Sequence, residues 1–444
     1  MRRILLITAA CTILSAATIT LQASQGRSVA RFQAFPAAEN RMPEGWSTWT
    51  PREEISPRFT VSRSGDGSLE IECSHPAEVG AWRREVVGIR AGEPYAFSAR
   101  YRVEKVAHPQ QQVYARLEWL DDAGRSLRAP DYVLEAGNGR GWTEVRHRAA
   151  APEKAAAVRI ELGLRWAPGG RVWWDDVRLD AEAASPRRKV RVGTVYLRPH
   201  GTGSAAGSVE AFCRTVEAGA EEKPDIVCLP EGVSVVGTGK SYAEVAEPVP
   251  GPTTQRLAAL AKRLGSYVVG GLYEREGPVI YNTAVLIGRG GELVGKYRKT
   301  HLPREEVDAG LTPGNDYPVF DTDFGRVGLI ICWDVQFPEP SRAMAAKGAE
   351  LLLLPIWGGS EIVTRARAIE NHAYLVSSSY DMKSFVVAPD GEVLTEATKQ
   401  RPFAVTEIDL DRKILQPWLG DMKPRTWRER RADLPVPTPE VRLP

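Results

Sequence analysis

The sequence has little histidine, little cysteine and almost no net charge, and each shortage removes a class of function. Only six histidines occur in 444 residues, and none lies in a protease-like string. A Cys–His hydrolase would have to recruit His301 or His372 to Cys332, and His301 reads better as a loop residue beside Lys299. The formal net charge is +2, with no concentrated basic face, so no nucleic-acid partner is expected. The short basic runs Arg187–Lys189 and Arg428–Arg431 read as linker and exposed tail. The five cysteines are Cys11, Cys73, Cys213, Cys228 and Cys332. They lack the tight spacing of a zinc knuckle or a disulfide scaffold, and no metal or cofactor is expected. Cys213, in an amphipathic helical pattern, and Cys228, in an apolar run, read as plain buried thiols.

Against these shortages stands a strong N-terminal signal. Met1-Arg2-Arg3 precedes the uncharged apolar run Ile4–Leu21, the pattern of a secretory signal peptide over residues 1–26. Leu21-Gln22-Ala23 is a poor cleavage site, so a retained membrane anchor stays open as the alternative. Either way the protein is expected to be exported: secreted, periplasmic or membrane-anchored facing outside. With 43% hydrophobic and 26% charged residues, the remainder has the material for two folded domains.

Residues 27–184 read as all-β. Tyr95–Tyr101, Val113–Trp119 and Ala157–Leu162 alternate apolar and polar side chains with a period of two, and Asp121–Gly124 and Pro168–Gly170 supply turns. Gly45-Trp46 near the start and Trp173-Trp174-Asp175-Asp176-Val177 near the end resemble jelly-roll carbohydrate-binding (galactose-binding-like) modules, which implies an all-β sandwich. Eight of the 12 tryptophans fall in this segment. Most are expected in the core, with sugar stacking by exposed ones, and hence a glycan partner, as the alternative. Residues 185–189 form a linker, and 190–425 read as α/β. There the strand patterns Val190–Leu197, Asp225–Pro230, Tyr267–Tyr273, Thr283–Ile287, Val327–Cys332 and Glu350–Pro355 alternate with helical patterns at Ser208–Glu221, Pro252–Gly265 and Glu339–Lys347. Residues 426–444 read as a proline-rich tail.

Three strings in the α/β half carry chemistry: Leu229-Pro230-Glu231-Gly232, Gly295-Lys296-Tyr297-Arg298-Lys299-Thr300-His301-Leu302 and Gly328-Leu329-Ile330-Ile331-Cys332-Trp333-Asp334. Cys332 stands where an apolar strand hands over to a loop, a place from which a thiol can act as nucleophile. Glu231 ends a similar strand, and a partly buried carboxylate there can take and return a proton near neutral pH. Lys299 supplies a fixed ammonium for the anion that forms when a thiolate adds to a carbonyl or nitrile carbon. Each residue alone has a plainer reading: a core thiol, a solvated loop acid, and a lysine on a solvated basic face with Lys296 and Arg298.

Together the three strings resemble the nitrilase (carbon–nitrogen hydrolase) superfamily, and the resemblance runs from about Val190 to about Asp411. Supporting strings are Gly270-Gly271, Tyr281-Asn282-Thr283-Ala284, Thr312-Pro313-Gly314, Phe324–Gly328 and Arg365–Asn371. The resemblance implies an α-β-β-α sandwich, a homodimer or larger homo-oligomer, and Glu231 as base, Lys299 as catalytic lysine and Cys332 as nucleophile. It further implies a second glutamate in the loop Arg304–Leu311, either Glu306 or Glu305, with Glu306 preferred. It gives Trp333 and Trp357 as pocket-lining residues, with the backbone amide of Trp333 in the oxyanion site. Asp334 and Glu370 are expected to hold loops by hydrogen bonds. The implied activity is hydrolysis of a small amide or N-carbamoyl substrate through a cysteine thioester. Nitrile hydrolysis and acyl transfer to an amine on the same trio are alternatives, as is a catalytically inactive glycan-binding protein.

Overall fold

The computed structural model describes residues 27–32, 42–61, 67–139, 141–416 and 418–435. The expected leader, residues 1–26, and the last nine residues of the expected tail lie outside these. Among the described residues, no helix is long and apolar enough to cross a membrane. The chain divides into two compact units, one of residues 1–106, 119–127 and 135–184, the other of residues 107–118, 128–134 and 185–444.

The first unit is largely β. Strands Val79–Val87 and Ala157–Arg165 pair antiparallel, and Arg171–Ala181 pairs antiparallel with Pro94–Glu104 and Leu69–Glu72. Alternation sorts the side chains: along Pro94–Glu104, Tyr95, Phe97, Ala99 and Tyr101 are buried while the residues between them reach outward. The Trp173–Val177 string contains a bulge, because the register shifts between Asp175 and Arg178 and Asp176 sits at φ +51°. Four of the eight tryptophans are core: Trp119 and Trp174 are sealed off, and Trp46 and Trp82 nearly so. Trp166 is exposed, while Trp49, Trp142 and Trp173 are half-buried beneath arginine side chains. The core reading thus holds for half of them.

The second unit carries two six-stranded sheets. In the first, Lys189–Val195, Ile226–Cys228 and Tyr267–Glu276 run parallel, flanked by Val279–Ile287, Leu293–Arg298 and Phe403–Asp409. In the second, Arg326–Leu329, Leu351–Pro355 and Tyr374–Ser378 run parallel, flanked by Val319–Asp321, Ser384–Val387 and Val393–Ala397. The parallel strands are near-continuous apolar runs because both faces are covered. One face of each joins a shared core of Val192, Ile226, Val269, Leu329, Leu353 and Val376. On the outer side of the first sheet, helices Ala205–Glu217 and Pro252–Leu264 pack through Phe212, Val216, Leu257 and Leu260. On the outer side of the second lie Pro338–Ala346 and Glu361–Asn371, through Met344 and Ala368. The layers run helix, sheet, sheet, helix.

Two sequence expectations change here. The run Val327–Cys332 is not one strand: the strand stops at Leu329, and Cys332–Gln336 forms a tight 3₁₀ helix. The tail expected from residue 426 begins inside a helix, Met422–Glu429. Arg428, expected in an exposed basic run, is 1% exposed and donates to the carbonyls of Val133, Gln110 and Val113. A guanidinium has five fixed donors, so it can satisfy several otherwise buried carbonyls at once, which a sequence pattern does not reveal.

Candidate active site

Four side chains distant in sequence meet at the ends of the parallel strands. Glu231 lies just beyond the strand Ile226–Cys228, where the chain turns at Gly232 with φ +60°. The neighbouring strand presses against it. Gly271 donates to the Pro230 carbonyl (3.3 Å), accepts from Val233 (2.8 Å), and has room for no side chain, since a Cβ would lie 2.8 Å from the Glu231 Cα. The Tyr380 hydroxyl donates to the Glu231 carbonyl.

Lys299 follows the strand Leu293–Arg298. Within that strand Lys296 and Arg298 face one way and pair with the buried carboxylate of Glu274, so they are not a solvated face. Their neighbour Tyr297 is buried on the opposite face. Lys299 leaves the strand with its N–H on the Asn282 carbonyl (2.9 Å) and its own carbonyl held by Gly314 (2.8 Å), and only 1% of it is exposed. Its ammonium nitrogen lies 3.1 Å from Glu231 Oε1 and 2.9 Å from Glu306 Oε1.

The choice between the two loop glutamates is geometric. They sit on the short helix Arg304–Asp308, whose turn carries Glu306 inward, 4% exposed, and Glu305 out to solvent. Cys332 opens the 3₁₀ helix at φ +42°, a left-handed conformation that a non-glycine residue holds only under constraint. Asp334 supplies that constraint. It accepts from the backbone N–H of Ile331 (3.0 Å) and His301 (3.0 Å) and from the Tyr297 hydroxyl (2.8 Å). One carboxylate thereby ties the segment before Cys332 to the segment after Lys299. Arg367 clamps the other end of the 3₁₀ helix through the carbonyls of Val335 (2.9 Å) and Gln336 (3.4 Å), and Glu370 pairs with Arg367.

The electrostatics follow from burial. Burial, then the nearby Glu231, push the Cys332 thiol well above its usual value, against the pull of Lys299 and the Trp357 backbone. The resting group is therefore a thiol that needs a base. Burial opposes the charge on Lys299, but Glu231, Cys332 and Glu306 together outweigh it, and its pKa lies above the ordinary lysine value. Glu306 is raised, first by burial and further by Glu231, with Lys299 opposing. Lys299 occupies the place between the two carboxylates where a bound cation would otherwise sit.

Trp357 is half-buried and meets Tyr380 edge-on at 5.0 Å, on the side of the site where its backbone faces the thiol. Trp333 is 42% exposed, its ring against Phe337 rather than deep in the site. Four neighbours of the site went unassigned from sequence: Asn282, Tyr380 and the stacked rings of Tyr242 and Tyr273, 4.4 Å apart and close to Glu231 and Glu306. For Asn282 a signal exists, because it and Thr283 are polar residues inside the otherwise apolar strand Val279–Ile287.

Comparison with known proteins gives this arrangement a family. The family model described as carbon-nitrogen hydrolase matches residues 195–418. The omega-amidase NIT2 of Homo sapiens is 32% identical over 255 residues, which is 51% of this chain and 90% of that protein. The omega-amidase NIT2 of Danio rerio is 32% identical over 278 residues, 55% of this chain and 96% of its own. Among solved structures, the carbon-nitrogen hydrolase from Helicobacter pylori G27 is 25% identical, covering 56% of this chain and 97% of that one, with a TM-score of 0.46. The chain belongs to the carbon–nitrogen hydrolase family of the nitrilase superfamily. It is a hydrolase of non-peptide carbon–nitrogen bonds that works through a cysteine nucleophile.

Proposed function

We propose that this protein is an exported amidase in which Cys332 is the nucleophile, Glu231 the general base, Lys299 the oxyanion stabiliser and Glu306 the second glutamate. The observation that carries the assignment is that Glu231 and Glu306, both buried, converge on the buried Lys299 ammonium, with Glu231 and Lys299 acting on the thiol of Cys332. The thiol gives its proton to Glu231 as the sulfur bonds to the carbonyl carbon. The oxyanion that develops meets the Lys299 ammonium and the backbone amide of Trp333, and a single donor so placed contributes about 3 kcal/mol. The C–N bond breaks, and the leaving nitrogen takes the proton from Glu231. Water then adds to the thioester while Glu231 accepts its proton, the C–S bond breaks, and the sulfur is reprotonated.

The substrate class is a small amide, with ω-amides of carboxylic acids first and N-carbamoyl compounds second. Both curated relatives above carry the name omega-amidase, and the half-buried Trp357 supplies an apolar wall suited to a short acyl chain. Ammonia release by the protein without residues 1–26, on a panel of ω-amides, N-carbamoyl amino acids and nitriles, tests this. Fastest turnover on an amide is expected, and a nitrile as the only substrate would overturn the assignment. Export rests on the leader sequence, and recovery of the native protein in a cytosolic fraction contradicts it.

The N-terminal β region is proposed as a jelly-roll, galactose-binding-like module that holds the enzyme near a glycan. Its support is the bulged Trp-Trp-Asp-Asp-Val strand and the half-buried rings of Trp142 and Trp173. On a glycan array the whole protein is expected to bind, and Trp173→Ala to weaken that binding. An array with no signal removes the proposal.

A further inference from the structure

Buried in the site is an amide that joins both carboxylates. Asn282, with no exposed surface, donates from its single Nδ2 to Glu231 Oε1 and to Glu306 Oε1, each at 2.7 Å. The same two oxygens also accept from the Lys299 ammonium, at 3.1 Å and 2.9 Å. Each Oε1 therefore meets two groups that can only donate, one an ammonium and one an amide NH₂. An oxygen with both acceptor positions filled in this way has no place for a proton of its own. Glu306 Oε2, by contrast, is buried with no hydrogen-bond partner among the described residues.

We infer that Asn282 is a positioning residue of the reaction, holding Glu231 and Glu306 through Oε1 so that the proton exchanged with Cys332, leaving group and water travels on Glu231 Oε2 alone. The inference rests on the roles proposed above for Glu231 and Cys332. Lys299 alone does not achieve this, because one ammonium between two carboxylates leaves each free to rotate about it. Asn282 adds a second, neutral anchor without adding charge. Its backbone joins the same device, since its carbonyl holds the Lys299 N–H. An aspartate of the same shape would place a third carboxylate between the other two and turn a donor into an acceptor.

The titratable and charged groups facing this pair are Lys299, Cys332, Tyr242, Tyr273 and Tyr380. Every N–H donated to a carboxylate favours its charged form, as the Asn282 N–H does for Glu306, so removing Asn282 moves the acid limb of any thiol-dependent rate to higher pH. The other described cysteines do not compete for a thiol reagent, because Cys73, Cys213 and Cys228 have no exposed surface while Cys332 is only half-buried.

The test uses the whole protein with Asn282→Ala and the near-isosteric Asn282→Asp, each checked by thermal melting. Iodoacetamide labelling of Cys332 is followed against pH, beside kcat and KM for the best amide of the panel. Expected are a kcat about 100-fold lower for Asn282→Ala and lower still for Asn282→Asp, with KM little changed. The acid limb of the labelling profile is expected to move up by about one pH unit in Asn282→Asp and by less in Asn282→Ala. A folded variant whose labelling profile matches the parent overturns the inference, and so does a fall in kcat with an unmoved limb, which would mark a structural role only. If Asn282→Ala does not fold, the near-isosteric variant decides. If the parent releases no ammonia at all, the proposed substrate fails, while the labelling profile still tests Asn282.

Discussion

Cys332→Ala is expected to release no ammonia above background from any amide while folding as the parent does. The substitution removes one sulfur atom at a half-buried position and leaves the left-handed backbone at φ +42° as strained as before. The expected change in stability is thus within about 1 kcal/mol. Chemistry is another matter. Glu231, Lys299 and Glu306 keep their mutual hydrogen bonds, so a substrate amide still meets an ammonium and a carboxylate, but nothing forms the covalent bond. Residual hydrolysis would require Glu231 to direct water straight at an unactivated amide, a far less reactive carbon than a thioester. Ammonia release and urea denaturation measured together check both halves of the prediction. Turnover within about tenfold of the parent would remove Cys332 from its role.

Lys299→Met is expected to lower kcat/KM by about 1000-fold or more and to change how stability depends on pH. The rate loss follows from removing the donor proposed for the developing oxyanion, for which mutagenesis typically finds losses of about 100- to 1000-fold, plus the loosening of Glu231. The stability effect has a definite sign. Glu306 already holds its proton more tightly in the folded state than an ordinary carboxyl, first through burial and then through Glu231, and Lys299 is the group that opposes this. Without Lys299 the folded-state pKa rises further. Over the pH range between the unfolded and folded values the native state then binds more protons than the unfolded chain, so stability falls as pH rises. The variant should lose more stability at pH 8 than at pH 5 relative to the parent, as urea midpoints at the two values would show. Equal losses at both would mean that Glu306 does not depend on Lys299 for its charge.

What was legible in the sequence and what was not divides along physical lines. The parallel strands around Ile226, Val327 and Leu351 announce themselves because burial on both faces demands unbroken apolar runs. Cys332 and Glu231 stand out because each ends such a run. The Glu305–Glu306 ambiguity was beyond spacing, since only the orientation of a five-residue helix turns one inward. Tyr380 was hidden for a related reason, since its role arises from convergence across 149 residues of chain, whereas Asn282, 51 residues from Glu231, left only the mark of a polar residue inside an apolar strand. Arg428 reads as solvated in its basic run because the backbone carbonyls that hold it lie 295 and 318 residues away, which a local charge pattern does not show. The tryptophans of the first unit divided evenly, since a large ring with arginine above it sits as well at a surface as in a core.

The central claim is that an acyl group passes through a covalent bond to the Cys332 sulfur. The most direct measurement is the intact mass of the protein, and of its peptides, after rapid quenching with an amide in the Glu231→Gln background. There thiol addition is slowed, but hydrolysis of the thioester is expected to be slowed more. An added mass equal to the acyl group, located on the Cys332 peptide and absent from Cys332→Ala, is the result predicted here. An amide turned over at the parent's rate with no adduct on Cys332 under any quench, and unaffected by Cys332→Ala, would contradict it.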